Sequence, residues 1–219
     1  MKNKKLILFL IILFPSLFWV ILELSTINTK KLPHYGPKTL NGKDTVFYKV
    51  SSSFMNLPAK ENGDSSLVNF NVDTTKYPLY AVCFIKQSYR ADNYRMAGLT
   101  EYSQYKKEKI KHIPFFIVTE CDDKTCFTEF QRFEKDNSNI LNLFWKSTSF
   151  DSLNLTYFKE KPVYIDYSFF VLVDKNRNIR GYYDGRYVAE IKRLIEEYQH
   201  LRLKEEKKNL INENKIENK

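Results

Sequence analysis

Two cysteines with four residues between them, Cys121 and Cys126 in Cys-Asp-Asp-Lys-Thr-Cys, are the pair in this sequence best equipped for chemistry. In an oxidising compartment such a pair closes a short structural disulfide; elsewhere it leaves two free thiols, or serves a metal or a redox couple. The spacing is not the two-residue gap of thiol-exchange motifs. Asp122 and Asp123 would raise the thiol pKa values and blunt their reactivity, because a nearby anion disfavours a thiolate. Cys83 lies inside an apolar stretch and reads as a small buried hydrophobe. Ser88 follows that stretch in Lys86-Gln87-Ser88-Tyr89-Arg90-Ala91-Asp92. As a nucleophile it would need an adjacent base, and the sequence offers neither a nucleophile-elbow motif nor a nearby histidine. Ser88 and Asp92 read instead as a hydrogen-bonded turn and helix cap. His34, His112 and His200 are isolated from one another and have no ligand spacing.

The elements that must position these groups follow from apolar patterning. Tyr80 to Ile85 is a first core strand, and a helical stretch from Asp92 to about Lys109 places Met96, Leu99, Tyr102 and Tyr105 at three-residue steps. Ile113 to Val118 is a strand buried on both faces, with Pro114 at its start. A short helix with three Phe on one side is expected at 127–133, and a strand at Ile140 to Trp145. A hairpin, 169–173 and 179–183 around Asp174-Lys175-Asn176-Arg177-Asn178, is the best-marked element. Val188, Ile191, Leu194, Ile195 and Tyr198 form the stripe of a final helix. Shorter extended pieces are read at 45–50 and 67–72, with a loop over 51–66. Strands alternating with helices and closed by an antiparallel hairpin predict an α/β, thioredoxin-like three-layer sandwich with a mixed central sheet and a C-terminal helix.

The chain of 219 residues has room for one such domain, 46–203. It is preceded by a cytoplasmic flank (1–5), a transmembrane anchor (6–23) and a juxtamembrane linker (24–45), and followed by a charged tail (204–219), disordered or a frayed helix. The anchor rests on Leu6 to Leu22, an uncharged apolar run behind Lys2, Lys4 and Lys5. No small-residue cleavage site follows it, and no cysteine that would mark a lipoprotein. The expected location is therefore the inner membrane, single-pass. Lysine counting on the two flanks slightly favours a domain facing the periplasm.

Composition removes other classes. Six glycines and no phosphate-loop motif leave no nucleotide cradle. The net charge of +9 comes from scattered lysines rather than a basic stripe, so no nucleic-acid partner is expected. Asn154-Leu155-Thr156 is a glycosylation sequon by pattern alone.

One family resemblance is carried by Leu32-Pro33-His34-Tyr35-Gly36-Pro37-Lys38, by Asp44 to Val50, and most strongly by Phe169 to Gly185, FFVLVDKNRNIRGYYDG. Over roughly residues 30–202 the sequence resembles the SCO/SenC proteins, membrane-anchored thioredoxin-fold factors of cytochrome c oxidase copper-site assembly. The resemblance implies oxidase assembly as the neighbourhood and a respiratory oxidase subunit, or another membrane protein, as partner. The family binds copper through a CxxxC after the first core strand and a histidine before the hairpin. Laid on this sequence, the pattern puts Ser88, Asp92 and Tyr167 at those ligand positions. Cu(I) favours thiolate, thioether or imidazole donors, whereas a hydroxyl, a carboxylate and a phenol are hard oxygen donors. The expectation is a divergent member with a degenerate copper site, no cofactor and a non-catalytic binding or scaffold role. Copper, or thiol–disulfide chemistry, enters only through a relocated site at Cys121 and Cys126.

Overall fold

The structure is a computed structural model that describes residues 13, 14, 17, 32–51, 53–56, 68–86, 97–121, 138–157, 159 and 169–217, with side chains left out at 55, 56, 68, 169 and 212–217. The chain divides into two units, Met1–Lys31 and Leu32–Lys219. In the first, Leu13, Phe14 and Leu17 are helical and exposed. Among the described residues no helix is long and apolar enough to cross a membrane, and the rest of 6–23 lies outside them.

The second unit is built on a five-stranded sheet. Its strands are β5 (Tyr80–Ile85), β6 (Phe115–Glu120), β7 (Ile140–Trp145), β8 (Phe169–Val173) and β9 (Ile179–Asp184), in the order β7-β6-β5-β8-β9. β5, β6 and β7 run parallel; β8 is antiparallel to β5, and β9 to β8. A parallel pair followed by an antiparallel hairpin on the other side of the first strand is the thioredoxin-like arrangement, as the alternating pattern predicts.

β5 explains the layering. All six residues are buried, and successive side chains point to opposite faces. Ala81, Cys83 and Ile85 join Phe115, Ile117, Phe170 and Leu172 under α1 (Ala97–Ile110) and α3 (Val188–Glu217), which contribute Leu99, Tyr102, Ile191, Leu194, Ile195 and Tyr198. Tyr80, Val82 and Phe84 join Phe116, Val118, Val171 and Val173 on the other face. That face is covered by α2 (Ser147–Tyr157) through Phe150, Leu153 and Tyr157, and by a separate hairpin of β3 (Ser53–Asn56) and β4 (Val68–Asn71). Phe54 of β3 meets Trp145 edge-on at 5.9 Å and stacks on Tyr157.

Several expectations shift. Tyr105 is exposed, because steps of three lag the 3.6-residue turn and rotate it off the face that buries Leu99 and Tyr102. The strand after α1 starts at Phe115 rather than Ile113: Ile113 closes the helix end through its N–H to the Ile110 carbonyl, and Pro114 has no N–H to give. α2 and β3 were not expected. The extended piece expected at 45–50 is present as β2 (Asp44–Phe47), but it pairs with an unexpected β1 (Lys38–Asn41) inside the segment read as linker, which is described from Leu32 onward. Arg180 holds it, donating to the carbonyls of Leu32 and Pro33 while pairing with Asp174 at 3.0 Å. The segment read as a separate tail continues α3 as helix through Glu217. The expected helix at 127–133 lies outside the described residues.

Candidate functional site

In an α/β sheet, ligands meet the carboxyl ends of the parallel strands where the strand order reverses. Here the chain passes from β5 to β6 and β7 on one side and returns to β8 on the other, so the reversal falls at β5. The candidate site is therefore the edge formed by Ile85-Lys86, Glu120-Cys121 and Trp145-Lys146. The end of β9 joins it, since Asp184 pairs with Phe169 at the start of β8.

Each element at this edge is pinned. Cys121 donates its N–H to the Trp145 carbonyl at 2.6 Å, extending the β6–β7 ladder by one residue. Lys86, at the exit of β5, pairs with Asp151 of α2 at 3.0 Å. Asp151 is more than half exposed, so the pair fixes direction more than it stabilises. Gly98, in the first turn of α1, donates its N–H to the Gly185 carbonyl at 3.0 Å. A Cβ on Gly98 would lie 2.6 Å from the backbone carbonyl carbon of Tyr187, so glycine alone allows this approach. Beside it the Arg186 guanidinium grips the Asp184 carboxylate with both Nε and Nη2, and also faces the exposed Tyr187 ring.

Cys121 is fully buried and disulfide-bonded. In that state it offers no thiolate to a metal or a disulfide. Cys83 is a free thiol, fully buried in mid-strand on the face under α1 and α3, as its apolar setting predicts. The Thr119 hydroxyl and the Trp145 indole N–H are buried at this same end without a hydrogen-bond partner among the described residues. Sequence reasoning missed both, along with Gly98 and the Asp184–Arg186 clamp.

Ser88, Asp92, Tyr167 and Cys126 lie outside the described residues. The structure does place the histidines. His34 stacks on Phe47 at 4.1 Å, and burial, then the Arg180 charge, lowers its pKa. Its neighbour Tyr35 bridges Ile179 at the start of β9, the opposite end of the sheet from Asp184. His112 is exposed before β6, and its carbonyl accepts from the Tyr198 hydroxyl at 2.9 Å. His200 is half-buried on α3. Among the described residues no three His, Cys, Asp or Glu side chains group as metal ligands. Asn154, the sequon asparagine, is buried on α2.

No protein-family model matches this sequence, and no curated protein does. Solved structures similar to it include a thioredoxin domain of a thiol-disulfide oxidoreductase from Bacteroides vulgatus, at 14% identity over 67% of this chain and 95% of that one, with a TM-score of 0.37. They also include BsSco, a member of the Sco family of cytochrome c oxidase assembly proteins, at 17% identity, 68% and 92% coverage and a TM-score of 0.43. Among these similar structures stands, too, a SCO1/SenC family lipoprotein from Bacillus anthracis, at 16% identity over 69% of this chain and 95% of that one, with a TM-score of 0.48.

Proposed function

We propose that this is a membrane-anchored, SCO-like thioredoxin-fold protein whose copper site is degenerate and whose role is non-catalytic, as a binding or scaffold protein in cytochrome c oxidase assembly. One observation carries the reading: in the sequence that follows β5, the positions that the family pattern gives to its copper-binding cysteines are Ser88 and Asp92. Hard oxygen donors at those positions do not hold Cu(I), and without a cysteine at either there is no thiolate for disulfide exchange. Cys121 adds to this, being buried and already oxidised. With Cys83 free and three cysteines in the chain, Cys126 is its proposed partner, and the pair is a staple across 122–125. The uncharged run Leu6 to Leu22 supplies the proposed anchor, with the domain on the periplasmic side, where such a staple persists.

The competing reading, copper or thiol chemistry at Cys121 and Cys126, rests on the position of Cys121 at the candidate edge. Titrating the full chain in detergent with Cu(I), before and after mild reduction, separates the two. The scaffold reading expects no tight stoichiometric binding in either state. Tight binding after reduction that disappears in a Cys121→Ser/Cys126→Ser variant would overturn it and establish a relocated site.

A further inference from the structure

The β1–β2 ribbon has a composition and a setting that the candidate site does not use. It forms a two-stranded sheet of its own, and every residue in it is exposed except Phe47, which is half-buried against His34. An isolated two-stranded ribbon is marginal in water, so one that persists with apolar side chains outward is suited to a covering surface. Leu40 is 81% exposed, one pair from the turn, and Val46 is exposed on the opposite face. The turn is tight, with Gly42 at φ +64° in its first central position and Lys43 at its apex.

Charge identifies the cover. From residue 24 to residue 50 the sequence has Lys30, Lys31, Lys38, Lys43 and Lys49 against one acid, Asp44. An exposed leucine on a ribbon that also carries Lys38 and Lys43 matches an anionic lipid surface, where the leucine enters the headgroup layer and the ammonium groups stay among the phosphates. Chain length keeps that surface within reach. The eight residues 24–31 between the proposed span and the docked Leu32 extend to about 28 Å at most.

We propose that the β1–β2 ribbon is a membrane-surface contact, its Leu40–Lys43 tip resting on anionic lipid headgroups. The proposal rests on the anchored reading given above.

The test reconstitutes the full chain with Leu40→Cys bearing a polarity-sensitive fluorophore. The vesicles are an equimolar mixture of phosphatidylcholine and phosphatidylglycerol, or phosphatidylcholine alone. Cys83 is enclosed and Cys121 oxidised, so the introduced thiol takes the label. Tyr105→Cys, on exposed surface of α1, is the reference. The expected result is a blue shift and a several-fold loss of iodide quenching at position 40 in the anionic vesicles only. Position 105 stays unchanged, and Lys38→Glu/Lys43→Glu reverses the effect. Equal iodide access at 40 and 105 in both vesicle types, with protein that floats with the vesicles and resists alkaline extraction, overturns the ribbon contact and leaves the anchor standing. Flotation that alkali abolishes, with position 40 still shielded, supports the ribbon and overturns the anchor. No flotation in either lipid overturns both.

Discussion

Replacing Gly98 by alanine sets two effects of opposite sign against each other at the edge of the candidate site. Alanine in a helix is favoured over glycine by about 1 kcal/mol, and by less in the first turn, where this residue lies. Against that, the added methyl would stand 2.6 Å from the Tyr187 carbonyl carbon and 2.8 Å from its nitrogen and oxygen, where ordinary contact begins at 3.4 Å. These are backbone atoms in the tight link between β9 and α3, so relief requires the start of α1 to move by about 0.8 Å. Overpacking of this kind costs about 1–3 kcal/mol. The same movement stretches the Gly98 N–H bond to Gly185, worth about 1 kcal/mol. The clash therefore wins, and Gly98→Ala is expected to lose about 1–3 kcal/mol net. Urea unfolding of the full chain in mild detergent, followed by the emission of buried Trp145, measures it. Gly42→Ala is the control: its Cβ would meet nothing within 4 Å, so only the left-handed backbone is penalised, at about 1 kcal/mol. A Gly98→Ala protein as stable as the parent, or more so, would refute the close approach of α1 to the β9–α3 link.

Arg180→Met keeps the aliphatic stem but removes one ion pair and two bonds to backbone carbonyls. Asp174 keeps the N–H groups of Asn176 and Asn178, so a loss of about 1–3 kcal/mol is expected rather than collapse, with faster proteolysis within 32–37. Unchanged stability and unchanged cleavage would show that Arg180 does not hold this segment. The buried tyrosines set an alkaline limit. Burial pushes Tyr80 up to about 12 from 10.0 and raises Tyr157 and Tyr183 as well. A phenol whose folded pKa is raised keeps its proton longer in the folded state. Its stabilisation is therefore complete below pH 10 and lost as pH rises toward 12. Stability should fall across that window by an amount on the order of 2 kcal/mol from Tyr80 alone. A late fraction of the tyrosinate absorbance, from the buried phenols, should appear only in step with unfolding, and ionisation of all the tyrosines near pH 10 in a folded protein would contradict it.

The frame of this protein was legible because its strands are buried on both sides. Tyr80 to Ile85 and Ile140 to Trp145 are near-continuous apolar runs, and the hairpin around Asp174 to Asn178 has turn residues between two such runs. α2 was not legible, although Phe150, Leu153, Asn154 and Tyr157 lie at helical spacing. Three serines and two threonines dilute its helix propensity, and one core-facing position is the polar Asn154. β3 hid for a different reason: it is four residues long and contributes mainly Phe54 to the core, too short for alternation to register. At the candidate site, the sequence could name Cys121 but not its burial. The Asp184–Arg186 clamp left no signal in the sequence, because its meaning depends on β9 ending beside the start of β8, which local spacing does not encode.

The two ends of β9, Ile179 and Asp184, lie about 17 Å apart at the usual rise per residue. Tyr35 bridges the strand at Ile179, and the candidate edge lies by Asp184 at the far end. Among the described residues, the edge gives Ile85 to one apolar face and Trp145 to the other, while Lys86, Glu120 and Lys146 belong to neither. Exchanging those three side chains would therefore spare the ladder, the two layers and the mounting through Arg180, so the scaffold leaves the chemistry of its edge open to change.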